Sequence, residues 1–258
     1  MAAALSVNLN KVALIRNSRE GHTPSVTGAA RTVLAAGAHG ITVHPRPDQR
    51  HVRPADVADL AELLRAYPGI EFNIEGNPFA GPRDDGYPGF DALIDSARPH
   101  QATLVPDSDN QLTSDHGWDL SGDTGALEAA IRRYQNLGAR VSLFMDPVPE
   151  QITAARRVGA DRIELYTGPF AATVNAWGAD DPRALESLAT YRHAAQHAAG
   201  LGLGVNAGHD LDLNNLPLFS RIDEIAEVSI GHALISDALN LGLTATVKAY
   251  LEALGYRQ

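Results

Sequence analysis

An α/β fold closed into a (β/α)8 barrel of the TIM type is what this sequence predicts, and three observations carry the prediction. Eight short apolar runs alternate with stretches of helical spacing along the chain. The length, 258 residues, is the usual size of one such barrel. Nearly every apolar run ends in a polar side chain that chemistry can use, and this suits the carboxyl rim of a barrel, where the architecture places its active sites.

The strands are expected at roughly 5–9, 40–45, 71–75, 101–106, 140–145, 162–167, 204–208 and 227–231. Short continuous apolar runs of this kind suit strands buried on both faces of a parallel sheet. The first helix, over 29–36, is alanine-rich and stops at Gly37. The next, 54–65, starts with Pro54 in its first turn, where the missing N–H costs nothing. Helical spacing continues over 90–97, 125–137 and 150–158, is longest over 184–201, and closes the chain over 238–254. No linker or low-complexity segment divides the chain, so residues 1–258 read as one catalytic domain. The loops 76–89, 107–124 and 168–182 exceed what a simple connection needs, and all three follow strands. The polar segment 107–124 is the first lid candidate, although surface decoration is an equal reading for any one loop taken alone.

Composition narrows the function. The net charge of −10, from 21 basic and 31 acidic residues, argues against nucleic acid or an anionic membrane as partner, so an anionic substrate must meet a local cationic cluster. No cysteine is present, which removes disulfides, thiolate metal sites and a thiol nucleophile. The start of the chain has neither a basic n-region nor a signal-length apolar core, and no apolar run is long enough to span a bilayer; a cytoplasmic protein is expected. Lysine occurs only at 11 and 248, which limits lysine chemistry to one position.

Two histidines and two arginines, His44, Arg46, Arg50 and His51, fall within eight residues after the second strand. Arg16 and Arg19 follow the first. A guanidinium is a planar fork of donors that stays charged, and at a strand's carboxyl end it points into the barrel mouth. Arg19 and Arg46 are therefore read as anion-binding, whereas for Arg16 and Arg50 a structural ion pair is an equal reading. A second anion pocket is expected at Asn206-Ala207-Gly208-His209 and Ile230-Gly231-His232, because barrels often hold phosphate on backbone N–H groups after strands seven and eight. Two pockets imply two phosphates, on one substrate or on two.

His44, Glu75, Glu164, His209 and His232 come from different strands yet share one rim. One histidine alone reads as a hydrogen-bonded rim residue; five such groups together read as an acid–base site. His193 and His197 lie four apart but lack the glutamate of a zinc-protease motif, and a solvated helix face explains them. His44-Pro45-Arg46 puts a cation where a metal-dependent hydrolase barrel offers His-x-His, so metal binding is disfavoured. These residues alone leave open a Schiff-base aldolase using Lys11, a phosphosugar isomerase and a non-catalytic phosphometabolite-binding barrel.

The motifs together resemble the pyridoxine 5'-phosphate synthase family. The resemblance runs in order through Asn8-Leu9-Asn10-Lys11 with Arg16 and Arg19, His44-Pro45-Arg46 with Arg50-His51, and Asn73-Ile74-Glu75-Gly76. It continues through Leu104-Val105-Pro106, Gln111-Leu112-Thr113, Ile163-Glu164-Leu165-Tyr166, Val205-Asn206-Ala207-Gly208-His209 and Ile230-Gly231-His232. It implies a barrel free of metal and cofactor that condenses 3-amino-2-oxopropyl phosphate with 1-deoxy-D-xylulose 5-phosphate, giving pyridoxine 5'-phosphate, phosphate and water. It further implies His44 and Glu75 as proton acceptors, His209 as a proton donor and Glu164 as a further residue needed for activity. By the same resemblance Asn8, Arg46, His51 and Thr113, with Asn10 and Lys11 beside them, hold the sugar phosphate. Arg19, Asp210, Gly231 and His232 hold the aminoketone phosphate, and a homo-octamer is the implied assembly. The chain departs from the pattern at Asn10-Lys11, often Asp-His, at Asp210, often glycine, and in a longer loop from residue 76.

Overall fold

A computed structural model describes residues 2–257. In chain order the elements are β1 (Ala4–Asn8), α1 (Asn10–Asn17), α2 (Val26–Ala35), β2 (Gly40–Val43), α3 (Pro54–Leu64), β3 (Glu71–Gly76), α4 (Phe90–Ala97), β4 (Gln101–Leu104), α5 (Gly125–Asn136) and β5 (Arg140–Met145). They continue as α6 (Pro149–Arg157), β6 (Arg162–Tyr166), α7 (Gly168–Trp177), α8 (Pro182–Gly200), β7 (Gly204–Gly208), α9 (Leu216–Phe219), β8 (Ile225–Ile230), α10 (His232–Leu241) and α11 (Leu243–Ala253). Each strand pairs in parallel with the next and β8 returns to β1, so the sheet closes as the expected (β/α)8 barrel.

The strands do not carry the uniform apolar surface expected of them. They alternate: Leu5-Ser6-Val7-Asn8, Ile41-Thr42-Val43, Phe72-Asn73-Ile74-Glu75, Ala102-Thr103-Leu104, Val141-Ser142-Leu143 and Val205-Asn206-Ala207 are all buried or nearly so. The apolar members join helix residues such as Val33, Leu60, Ile131 and Leu188 in one buried cluster between sheet and helices. Each such side chain contributes roughly 1.5–3 kcal/mol over leaving it in water. The polar members fill the lumen. Ser6 and Thr42 share a hydrogen bond of 2.7 Å, Thr103 donates to Asn73 at 3.0 Å, and Arg162 donates to Asn206 at 2.9 Å. Asn206 of β7 also reaches Gln101 of β4 at 3.4 Å, a contact possible only across the inside of the cylinder. Most polar groups here find one another, which is what makes their burial tolerable, and the Ser142 hydroxyl is the exception among those named.

Three element boundaries differ from expectation for local reasons. Loop 168–182 is mostly α7: Pro169 sits in the first turn, and Phe170, Ala171 and Val174 recur at helical spacing on a buried face. The helix expected over 238–254 is broken at Gly242, whose φ of 79° ends α10 and begins α11. Helix α1 starts almost directly after β1 and was not foreseen. It carries Arg16 away from the rim and into a buried pair with Asp56 of α3, NH2 to Oδ2 2.9 Å, with a further hydrogen bond from NH2 to the His51 carbonyl at 3.2 Å. For Arg16 the structural reading holds. Removing one partner of a buried pair leaves an uncompensated charge, so Arg16→Ala is expected to lower unfolding free energy by about 3–5 kcal/mol in urea denaturation.

Candidate active site

The carboxyl ends of the strands surround a cavity of about 410 Å³. Its lining includes Asn8, Asn10, Lys11, Arg46, Arg50, His51, Glu75, Thr113, Glu164, His209, Asp210, Gly231 and His232. Every sequence-predicted site residue except Arg19 therefore reaches one mouth, together with His44. Arg19 is exposed and lies outside this lining, because α1 runs about 12 Å in length before the chain reaches it.

The floor of the cavity is acidic and dry. Glu75, at the end of β3, accepts from Asn8 Nδ2 at 3.4 Å and lies 3.8 Å from His44 Nδ1. Burial, reinforced by the charge of Asp107, pushes its carboxyl up to about 8, with Arg46 pulling the other way. Burial first, then the Arg46 guanidinium, holds the His44 imidazole well below its ordinary value. The 3.8 Å contact is thus between a neutral ring and a largely protonated acid near neutral pH, and not an ion pair. Glu164 sits deeper; burial and the charge of Glu75 push its carboxyl well above the usual range, and Oε2 has no hydrogen-bond partner. Gly208 makes room for it, since a Cβ there would overlap Glu164 Oε1. Glu227 continues the acidic line below, raised to about 7 by burial and by Glu71.

One side of the mouth is cationic. Asn10 opens α1 and its Oδ1 accepts the His44 backbone N–H at 2.8 Å, so this carboxamide braces the end of β2. Val52 N–H donates to His51 Nδ1 at 2.9 Å, which leaves Nε2 as the protonated nitrogen of a neutral ring. Burial, with Arg46 and Lys11 adding to it, lowers His51 to about 3. Lys11 has no carboxylate within ion-pair distance among the described residues. Arg50 is held by Asp48 at 2.6 Å and by the carbonyl of Gln111 at 3.0 Å, so it both pairs locally and ties down the segment 107–124.

The adjoining part of the rim, after β7 and β8, is built from backbone. Gly231 caps α10, which puts the helix's first N–H groups, beginning at His232, on the rim. A Cβ on Gly231 would press on Asn8 at 3.0 Å. His209 and Asp210 have φ of 88° and 58°, left-handed positions that swing both side chains over the mouth. His209 Nδ1 lies 3.1 Å from Asp210 Oδ2 and its Nε2 2.7 Å from Thr113 Oγ1. A carboxylate only accepts, so Nδ1 carries a proton, and the His209 contact in turn lowers Asp210 below the usual range. The Asp210 carboxylate therefore does not turn away from the site; it faces His209. Tyr166 and Phe144 pack edgewise on the same imidazole, centroids 5.4 and 6.4 Å away.

The segment 107–124 crosses this mouth. Thr113 meets His209, Ser114 donates to Asp107 at 2.7 Å, and Trp118 anchors the far end through Nε1 to the Leu104 carbonyl at 2.9 Å. Asp107, Ser114 and Phe144 carry no signal in the sequence that sets them apart, because the pairings that give them meaning span up to 65 positions. His197 of the second histidine pair shares a 2.7 Å hydrogen bond with Thr153, joining α8 to α6 outside the barrel. Among the described residues no group of three or more His, Asp or Glu side chains is arranged to hold a metal ion, and no helix is long and apolar enough to cross a membrane.

Comparison with known proteins follows the same lines. Residues 5–256 match the family model described as pyridoxal phosphate biosynthesis protein PdxJ. The chain is 55% identical over 255 residues to a pyridoxine 5'-phosphate synthase of Xanthomonas axonopodis pv. citri (strain 306), covering 98% of this chain and 97% of that protein. It is 54% identical over 256 residues to a pyridoxine 5'-phosphate synthase of Albidiferax ferrireducens, covering 98% of each. Among solved structures it is similar in fold to tryptophan synthase from M. tuberculosis, with TM-score 0.62, 13% identity, and coverage of 99% of this chain and 94% of that one. Triosephosphate isomerase from Bartonella henselae gives TM-score 0.56 and 11% identity, over 99% and 100% of the two chains.

The pH dependence of stability follows from the buried groups. Between about pH 6.5 and 8 the folded state holds protons on Glu75 and Glu164 that the unfolded chain has released, so stability falls as pH rises. Below about pH 4.5 the histidines dominate: unfolding lets His44 and His51 take up protons, so stability rises with pH there. Urea midpoints are expected to drop from pH 6.5 to 8.5, and Glu75→Gln to flatten that drop; a rising midpoint in wild type over this window would contradict the assignment.

Proposed function

The chain belongs to the pyridoxal phosphate biosynthesis protein PdxJ family, and we propose that it condenses 3-amino-2-oxopropyl phosphate with 1-deoxy-D-xylulose 5-phosphate to give pyridoxine 5'-phosphate, phosphate and water. The observation that carries this reading is the two-sided mouth, with Arg46, His51 and Lys11 on one wall and the Gly231–His232 helix terminus on the other, set over a buried carboxyl–imidazole pair. Two anion pockets facing one acid–base floor match two phosphorylated reactants that exchange only protons, water and phosphate.

The aminoketone supplies its own amine, so the imine with the sugar ketone forms without an enzyme lysine. In this reading Arg46, His51 and Thr113 hold the sugar phosphate, with Asn8, Asn10 and Lys11 beside them. Gly231, His232 and the Asp210 main chain hold the aminoketone phosphate. Loss of water and phosphate, carbon–carbon closure and aromatisation each move a proton next to a carbonyl or a leaving group. A base works best when its pKa lies near the working pH, and Glu75 at about 8 meets that condition. Neutral His44 accepts a proton beside it. His209, backed by Asp210, is suited to deliver one, because the carboxylate stabilises the imidazolium that would give it up. Glu164, protonated beneath Glu75, keeps a second negative charge away from the base. Holding both reactants in register accounts for up to about 7–11 kcal/mol of the barrier.

The segment 107–124 acts as the lid in this scheme, since imines hydrolyse and Thr113 and Ser114 already reach across the mouth. Arg19, on the outer end of α1, takes the aminoketone phosphate only if a neighbouring barrel or a movement brings it to a mouth. The exposed Leu14 and Ile15 of α1 and Leu239 and Leu241 of the adjacent α10 support a homo-oligomer, with an octamer as the proposed form. Substrates this highly charged do not cross membranes unaided, which supports a cytoplasmic site of action for the single catalytic domain 1–258.

Mixing the two substrates with the protein is expected to produce a pyridine chromophore and free phosphate together, and chelator is expected to change neither. Glu75→Gln is expected to lower kcat about 10²–10⁴-fold with little change in either KM. Arg46→Ala is expected to raise the sugar-phosphate KM about 10–100-fold, as loss of a charge-assisted hydrogen bond does. Near-normal turnover in the first variant removes Glu75 from the chemistry, and an unchanged KM in the second moves the sugar-phosphate pocket elsewhere.

A further inference from the structure

Asp107 follows β4 and has no part in the roles above. It is 6% exposed. Its Oδ2 pairs with Arg46 NH2, accepts from Ser114 Oγ at 2.7 Å and lies 3.9 Å from His44 Nε2. Its Oδ1 is buried without a partner, and its carbonyl accepts from Asn77 Nδ2 at 2.8 Å, which fixes the turn that presents it. One carboxylate, at the start of the lid segment, thus touches the arginine of the sugar-phosphate wall, the neutral base and Ser114 further along the lid.

That carboxylate is an expensive choice if its only task is to neutralise Arg46. It repels an incoming phosphate dianion, and an apolar pair of similar volume would avoid both desolvation and repulsion. Neutralising Arg46 also gives no reason for the approach to His44 or for the hydrogen bond from Ser114. Orientation does. His44 stands between Glu75 on its Nδ1 side and Asp107 on its Nε2 side. A carboxylate facing Nε2 keeps the proton on that nitrogen and leaves the Nδ1 lone pair beside Glu75, where a proton must be taken. The 3.9 Å separation is longer than a hydrogen bond, as catalytic contacts commonly are before reactants bind.

We propose that Asp107 is a positioning residue for the reaction, setting the Arg46 guanidinium and the His44 imidazole in register, with Ser114 making that setting depend on the seated lid. The inference rests on the condensation placed at this mouth and adds to it the coupling between lid and base. It also gives Asp107 a second effect, because its charge is one of the causes that raise Glu75.

The test compares Asp107→Asn, Asp107→Glu and Ser114→Ala with wild type for kcat, both KM values, the pH profile of kcat/KM and the melting temperature. Asp107→Asn is expected to lower kcat about 10–100-fold and to move the acidic limb of the profile down by about one pH unit. Asp107→Glu recovers much of kcat, and Ser114→Ala loses kcat several-fold without melting earlier. A wild-type kcat and an unmoved acidic limb in Asp107→Asn overturn the proposal even if that variant melts earlier. A wild-type kcat in Ser114→Ala overturns the link to the lid, and this variant decides the matter if Asp107→Asn does not fold. Absence of product from wild type defeats the functional reading itself, whereas an active wild type with an unaffected Asp107→Asn defeats only this inference.

Discussion

The burial of ionisable groups inside a closed polar cylinder is the constraint on which the rest of this structure depends. Closure forces every second strand residue inward, and here those residues are Ser6, Thr42, Asn73, Gln101, Thr103, Ser142, Asn206 and the three glutamates Glu75, Glu164 and Glu227. Most of the side-chain amides and hydroxyls pair with one another, the Ser142 hydroxyl excepted, yet none of them supplies a full positive charge to Glu75 or Glu164. Carboxyls so placed stay protonated to higher pH than carboxyls in water. The scaffold thereby raises the carboxyl proposed as the base, and Asp107 and Arg46, in the loops after β4 and β2, adjust it in opposite directions.

Cations and anions are arranged to keep that tuning from collapsing. In the proposed reaction a molecule with net charge −10 must draw two phosphates inward, and the two parts of its rim offer different donors. Arg46, Lys11 and His51 offer side chains, while Gly231 and His232 offer backbone donors at the start of α10. Side-chain cations near Glu75 would lower it; Arg46 does so in part, and Asp107 opposes it. The backbone wall adds no full charge. Asp210 plays a comparable part at His209, supplying a counter-charge to the one imidazole cast as a proton donor.

The barrel was legible in the sequence because short runs such as 40–45 and 71–75, read as continuous apolar strands, alternate with helical spacing over 54–65 and 184–201. The rim was legible because polar residues close those strands, and the cavity gathers His44, Glu75, Glu164 and His209 as their positions imply. Pairings between distant residues were not legible. Arg16 looks like Arg46 in sequence, and only the fold shows that one meets Asp56 of α3 beneath the surface while the other faces the cavity. The polar lumen was hidden for a related reason. Small hydroxyl and amide residues between β-branched neighbours read as interruptions of an apolar run until closure gives them partners 31 to 105 positions away. Helix α7 was missed because Gly168-Pro169 reads as a turn, although proline in a first turn equally begins a helix.

Water is what connects these features to turnover. A bound imine survives only if solvent is excluded, but a mouth that excludes solvent also excludes substrate, so something must report that both reactants have arrived. Thr113 and Ser114, adjacent on the lid, touch His209 on one wall and Asp107 on the other. Two neighbouring hydroxyls therefore span the donor side and the acceptor side of the same reaction. Lifting this segment would release both at once, leaving Nε2 of His209 and Oδ2 of Asp107 each short of one contact. If segment 107–124 is the lid proposed above, its closure completes the proposed acid and the proposed base in a single movement, and the lid belongs to the acid–base machinery as well as covering it.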